Sequence, residues 1–233
     1  MHYRAENHSK LVLALLGLDI LIYAVQIWLS FKIFDETNLL LQQELAISQR
    51  PEGVAQLMQA DEILHHVKLG SFILLGVIIL SWIYRAHRFV HTSVNATEIK
   101  FTDAACVVYF FIPIANLFMP YKAMKETWLA SESPEAWQKK PTPITLIVWW
   151  LVWLLRINLG FIFFLPRAEY FKDIQGINDF SILMIIDSAL AISLALIFSL
   201  VVLQVERIQN KYSKNEPTFS KKEHKTTSTS LVS

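Results

Sequence analysis

Apolar residues along the chain are grouped in four blocks, each about 20 residues long and separated from the next by polar stretches. About 20 apolar residues in helical conformation are needed to cross the roughly 30 Å hydrocarbon core of a bilayer. The pattern therefore predicts an all-α, polytopic membrane protein with four transmembrane helices. We place these helices at residues 11–31, 67–84, 143–165 and 180–204.

Polar segments flank and join the blocks. A short polar N-terminus, residues 1–10, precedes the first span, and residues 205–233 form a basic tail that ends in low-complexity sequence and is predicted to be disordered. Residues 35–66 hold six acidic residues and one arginine. Leucines recur there at helical spacing on both sides of Pro51, which predicts two acidic helical arms that continue the flanking spans.

A fifth apolar stretch is broken by prolines. Residues 104–128 include YFFIPIANLFMPYKAMKETW, which is interrupted at Pro113 and Pro120. A proline lacks an N–H and displaces the carbonyl four residues earlier, and in lipid that carbonyl needs another partner. Asn116 lies between the prolines, where its amide could supply one. We predict either a kinked interfacial helix, with residues 121–128 as an amphipathic continuation, or a re-entrant loop that lines a cavity.

Composition supports the membrane class. Hydrophobic residues make up 54% of the chain and charged residues 18%, whereas soluble domains are about 45–50% apolar and about 25% charged. The single cysteine, Cys106, excludes an intrachain disulfide and a multi-cysteine metal site.

The distribution of basic residues predicts the threading. With four spans and both termini in the cytoplasm, 15 of the 21 Lys and Arg residues lie inside and five outside, while Arg156 lies within a span. Such an excess is the usual signature of cytoplasmic loops. A crossing by the broken stretch would change the count to seven inside and 13 outside, or to 13 inside and seven outside with the whole protein inverted, which is a weaker bias. We therefore expect a multi-pass protein of the inner (plasma) membrane, with its acidic arms outside.

Three ionisable residues fall within the predicted spans: Asp19, Arg156 and Asp187. Each costs about 2.5–3.5 kcal/mol to insert, so such groups face the bundle interior and pair with one another. From their depths along the spans, Asp187 is the expected partner of Arg156 and Asp19 the second choice. Alternatively, the acid left over from this pairing could hold a proton or a cation in a transport pathway.

Helical spacing gives each charged residue a set of neighbours on its own face. The three faces are Asp19, Tyr23, Gln26 and Ser30; Trp149, Trp153, Arg156 and Gly160; and Asp187, Ala191, Ala195 and Ser199.

Histidines offer a weak metal signal. His87 and His91 have the i,i+4 spacing of two ligands on one helix, but no carboxylate or third histidine accompanies them in a recognised pattern. We interpret them as solvated interfacial residues and expect no metal and no cofactor. GxSxG, HExxH and P-loop strings are absent from the sequence, so an enzyme is not expected.

Several motifs together resemble a known family. The run WIYRAHR from Trp82 to Arg88, the FIPIANL–P–M–E–W string and a Trp-Trp pair early in the next span resemble the bacterial membrane family known as domain of unknown function 4328. The resemblance covers roughly residues 70–204. Members often carry an Asn shortly after the arginine of YRA, where this chain has Phe89. The resemblance implies about four transmembrane helices and no established chemistry.

These features favour an integral membrane protein that acts as a non-enzymatic interaction or scaffold protein. The alternative is a small transporter or channel that uses a polar cavity at Asp19, Arg156 and Asp187. The expected partners are the lipid bilayer and either another membrane protein or a second copy of this chain, not nucleic acid.

Overall fold

The computed structural model describes residues 5–43, 52–94, 96–163, 170 and 172–215. The regular secondary structure among these residues is helical, with no strand, so the all-α prediction is confirmed. The helices are α1 (Ala5–Gln42), α2 (Glu52–Phe89), α3 (Ala105–Val108), α4 (Met119–Glu132), α5 (Ile144–Phe163) and α6 (Ile174–Asn215), with a π-helical turn at Val90–Val94 and 3-10 turns at Ala115–Leu117 and Trp137–Lys139.

Three of the described helices are long and apolar enough to cross a membrane. They are α1, α2 and α6, which have 38, 38 and 42 residues. The predicted third span corresponds to α5, a shorter helix whose apolar part is Ile144–Leu159. The length and composition of these helices are compatible with a membrane protein.

Both arms are helical continuations of the spans, as predicted. Helix α1 runs without a break to Gln42, and α2 already begins at Glu52. The predicted break at Pro51 falls in residues 44–51, outside the described part of the chain.

The predicted start of the disordered tail is wrong, because α6 continues as helix through residue 215. Val205 and Gln209 are buried on that extension, and the Tyr212 ring meets the Phe89 ring edge-on, with the centroids 6.3 Å apart. Packing of one face therefore stabilises helix beyond the apolar block. Residues 216–233 lie outside the described part of the chain.

The chain forms two compact units. Unit 1 comprises Met1–Ser9, Ser81–Pro143 and Val201–Ser233, and unit 2 comprises Lys10–Leu80 and Ile144–Leu200.

In unit 2, the acidic arms pack against the first turns of α6. One cluster joins Leu29, Ile33 and Ile177, and a second joins Leu40, Val54 and Ile174. Full burial of such a side chain stabilises by about 1.5–3 kcal/mol. These contacts hold the two arms together.

In unit 1, α4 is the most enclosed element. Eight of its residues between Ala123 and Ser131 are buried, and only Lys125 in that stretch is partly exposed. Helix α4 contacts α3, the π-helical turn and both 3-10 turns. Other parts of unit 1 therefore cover most of this helix.

Candidate functional site

The polar face predicted for α1 is turned to the interior of unit 2. Tyr23, Gln26 and Ser30 are each less than 10% exposed. Asp19 Oδ1 accepts a hydrogen bond from Ser71 Oγ at 2.9 Å. The Gln26 amide donates to Ser30 Oγ at 3.0 Å. The prediction that these positions share one inward face is confirmed.

Arg156 pairs with Asp187, as the depths of the two residues predicted. Its Nε donates to Asp187 Oδ1 at 3.2 Å, and the two side chains are 21% and 15% exposed. Its Nη2 donates to the Tyr23 hydroxyl at 2.7 Å, and the guanidinium carbon lies 5.2 Å from the centre of the same ring. Arg156 thus joins α1, α5 and α6 through one side chain.

Sequence reasoning missed Asp61, which it assigned to the exposed acidic arms. Asp61 is 6% exposed, and its Oδ1 accepts a hydrogen bond from Gln26 Nε2 at 2.8 Å. It also lines a cavity of about 270 Å³ in unit 2. Asp61 follows Val54 by seven residues, which places it on the apolar stripe of its arm. That spacing was the available signal.

The broken stretch is not one kinked helix. Helix α3 ends at Val108, turns follow, and α4 begins anew at Met119. Pro120 occupies the first turn of α4, where a missing N–H removes no helical hydrogen bond. The Asn116 backbone N–H donates to the Ile112 carbonyl at 2.7 Å, while its carboxamide oxygen is buried and accepts no hydrogen bond from the described residues. Pro113 lies in the turns and is exposed.

The turns between α3 and α4 expose a cluster of large apolar side chains. Five of them are between 44% and 78% exposed: Val108, Phe111, Ile112, Ile114 and Phe118. Large apolar side chains that are exposed together in one short segment favour contact with a membrane or a partner. Whether this segment is re-entrant or interfacial stays a prediction.

A buried histidine lies between two carboxylates in unit 1. His87, in the last turn of α2, is 0% exposed. Its Nδ1 lies 2.9 Å from Asp103 Oδ1, and its Nε2 lies 3.3 Å from Glu126 Oε1. The prediction that His87 is solvated is wrong, because the connector after α2 folds back over the ring.

Glu126 fastens that connector to α4. The carboxylate is 1% exposed and accepts hydrogen bonds from the backbone N–H of Lys100 at 2.9 Å and of Phe101 at 3.0 Å. A buried carboxylate needs such donors, and charge-assisted bonds of this kind are about twice as strong as neutral ones. Together with His87 they satisfy both oxygens of Glu126.

His91 completes the group from the π-helical turn. Its Nε2 lies 3.0 Å from the Phe101 carbonyl oxygen and 3.6 Å from Asp103 Oδ1. A carboxylate therefore does lie beside the two histidines in space, although no recognised sequence pattern joins it to them. Asp103 is 12 residues beyond His91, and no local pattern in the sequence announces the contact.

Cys106 lies in the same unit and is buried. Burial raises the pKa of its thiol, and the nearby charges of Glu126 and Asp103 raise it further. The thiol is therefore kept protonated and weakly nucleophilic.

A family model described as a domain of unknown function, DUF4328, matches residues 46–207. The chain belongs to the DUF4328 family. No curated protein and no solved structure matches the chain.

The DUF4328 region contains the histidine–carboxylate cluster of unit 1 but only part of the polar network of unit 2. His87, Asp103 and Glu126 all lie inside it, as do Arg156 and Asp187. The polar face of α1 lies before residue 46, outside the match. The family is of unknown function, so it assigns no chemistry to either group.

Proposed function

We propose that this DUF4328 protein is an integral protein of the inner membrane with four membrane-spanning helices and both termini in the cytoplasm. Helix α5 has 20 residues, which at 1.5 Å per residue is about 30 Å, the thickness of the hydrocarbon core. The excess of basic residues on one side supports the cytoplasmic termini.

Lipid contact is supported by the apolar side chains that the helices leave uncovered. Leu21 and Trp28 on α1 are 63% and 59% exposed, and Phe72 and Val77 on α2 are 59% and 61% exposed. Water would be an unfavourable neighbour for so many large apolar groups. Acyl chains of the bilayer are a favourable one.

We infer that the biochemical role is that of a non-enzymatic interaction or scaffold protein. One observation carries this inference: Arg156 is bound to Asp187 and Tyr23, and Asp19 is bound to Ser71. Charges that satisfy one another stabilise a bundle, whereas charges in a transport pathway must exchange their partners for cargo.

The acidic arms are the surface that we propose for a partner. Four of their carboxylates are exposed: Asp35, Glu36, Glu52 and Glu62. Opposite charge steers association and selects the correct partner. A basic external segment of another membrane protein is the complementary surface.

Photocrosslinking in cells tests this role. A photoreactive residue at Asn38, which is exposed beside the acidic side chains, should form one discrete protein adduct. The double variant Asp35→Lys/Glu36→Lys should lose that adduct, while a photoreactive residue at lipid-facing Phe72 serves as the control. An adduct that survives charge reversal, or none at Asn38, would contradict the scaffold role.

The second candidate, a small transporter or channel, is favoured by the cavity of about 270 Å³ beside Asp61. Its polar lining comes from Ser30, Asp61, Glu62 and Ser181. Proton or cation flux into proteoliposomes, abolished by Asp61→Asn in this cavity lining, would establish this candidate in place of the scaffold. Flux no greater than that of empty liposomes would remove it.

A further inference from the structure

His87, His91 and Asp103 present three potential metal ligands to one point in unit 1. One ligand atom from each lies within 4.8 Å of the other two. The geometry points to a binding site for a divalent first-row transition-metal ion, with two imidazoles and one carboxylate as its ligands. Imidazole suits Zn²⁺, Fe²⁺ and Ni²⁺, and a carboxylate completes such a set.

The two ligand pairs that include Asp103 are close to the spacing of a metal centre. In a tetrahedral zinc site with bonds of about 2.0–2.1 Å, neighbouring ligand atoms are about 3.3 Å apart. His87 Nδ1 and Asp103 Oδ1 are 2.9 Å apart, and His91 Nε2 and Asp103 Oδ1 are 3.6 Å apart. Shifts of a few tenths of an ångström would bring both pairs to the spacing that the ion requires.

Glu126 supplies the outer support that metal-bound histidines have in other proteins. A ligating histidine donates its second ring N–H to a carboxylate or a carbonyl, which fixes the ring and its tautomer. The second nitrogen of His87, Nε2, lies 3.3 Å from Glu126 Oε1. Glu126 is itself held by two backbone N–H groups. The His87 ring therefore lies between the Glu126 carboxylate on its Nε2 side and the proposed ion position on its Nδ1 side.

The remaining ligands leave access for the ion. The side chains of His91 and Asp103 are 37% and 23% exposed, whereas that of His87 is 0% exposed. His91 Nε2 would exchange its contact with the Phe101 carbonyl for the metal. Its π-helical turn is a feature often found at functional sites. Two of the three proposed protein ligands are therefore within reach of solvent.

A purely structural role of the cluster is to hold the His87 ring between Asp103 and Glu126, which its two nitrogens contact at 2.9 and 3.3 Å. The two readings differ in one respect. A structural ion pair needs only His87, whereas a metal site also needs His91. Variants of His91 therefore separate them.

The test is a Zn²⁺ and Co²⁺ titration of the full chain, purified in detergent without a polyhistidine tag. Wild type should bind one ion per chain, with the visible Co²⁺ spectrum of a coordinated ion. His91→Gln and Asp103→Asn should each weaken binding at least about tenfold, and Glu126→Gln about 10–100-fold. The control is His66→Gln, because His66 is an exposed histidine with its own carboxylate, Glu62 Oε1, at 3.9 Å.

Thermal unfolding gives an independent readout, because an ion that binds only the folded chain raises Tm. Added Zn²⁺ should raise the Tm of wild type and His66→Gln, but not that of His91→Gln. The proposal would be overturned by wild type that shows no saturable binding, or by His91→Gln and Asp103→Asn that bind as tightly as wild type. Binding that is lost in His66→Gln instead would show a surface site and would overturn it as well.

Discussion

Neutralising Asp187 or Arg156 should destabilise unit 2 more than any other single polar substitution in that unit. The two side chains are mostly buried and joined at 3.2 Å. Removing one member of a buried ion pair strands the other, at a cost of about 3–5 kcal/mol. After Asp187→Asn, Arg156 still has the Tyr23 hydroxyl at 2.7 Å, so we expect a loss of about 3 kcal/mol. Arg156→Gln also removes the Tyr23 contacts, and its loss should approach about 5 kcal/mol.

The double variant Arg156→Gln/Asp187→Asn isolates the pair. Because neither charge is stranded, its loss should be smaller than the sum of the single losses by about 2–3 kcal/mol. Reversible unfolding in SDS-containing micelles measures all three variants. The matched control is Asn158→Ala, since Asn158 lies on the same helix, is exposed, and donates its side-chain hydrogen bond to the Leu154 carbonyl of that helix. That variant should stay within about 0.5 kcal/mol of wild type.

Additive losses in this cycle would refute the reasoning. They would mean that Arg156 and Asp187 do not stabilise one another, and the contact between α5 and α6 would lose its explanation. A control variant as unstable as Asp187→Asn would equally show that α5 tolerates no polar change, whatever its partner.

Three further predictions concern unit 1. Glu126→Gln should lower the free energy of unfolding by about 1.5–3 kcal/mol, because the backbone donors then lose a charged acceptor. Glu132→Gln, at an exposed position on the same helix, should change that free energy little. Equal effects of the two variants in a denaturation series would contradict this prediction. The Cys106 thiol should resist maleimide until SDS is added, since it is buried and its pKa is raised; rapid labelling of the native protein would show that it is not enclosed. Oxygen concentrates in lipid and chromium oxalate in water. In a Cys106→Ala background, a spin label at Ile114, which is 78% exposed, should therefore be relaxed more by oxygen than by chromium oxalate. A label at Lys122 should be relaxed more by chromium oxalate than by oxygen. Equal relaxation at both sites would place the apolar turns in water.

The residues that the sequence placed correctly are those whose spacing along one helix decides their surroundings. Asp19, Tyr23, Gln26 and Ser30 recur at helical spacing, and a helix in a bundle has only one inward face. The pairing of Arg156 with Asp187 followed from counting residues along two spans, because helical rise converts that count into depth.

The residues that the sequence misplaced depend on contacts between distant segments. The sequence pattern places Glu126 on an interfacial helix, whereas in the structure the backbone of the connector donates hydrogen bonds to it. The sequence pattern places Asp103 in a polar connector, whereas in the structure that connector folds back and brings Asp103 to His87. Helical periodicity carries no information about such returns, so the cluster in unit 1 could not have been assembled from local patterns.

Cysteine labelling is the most direct test of the proposed threading, in which the chain has four spans, external arms and cytoplasmic termini. Single cysteines at Gln56 and at Lys139, both exposed positions, would be introduced into the Cys106→Ala background and treated with a membrane-impermeant maleimide. In cells with a permeabilised outer membrane and an intact inner membrane, we expect the cysteine at Gln56 to be labelled. The cysteine at Lys139 should be labelled only in inverted membrane vesicles. Labelling of both positions from the same side would contradict it.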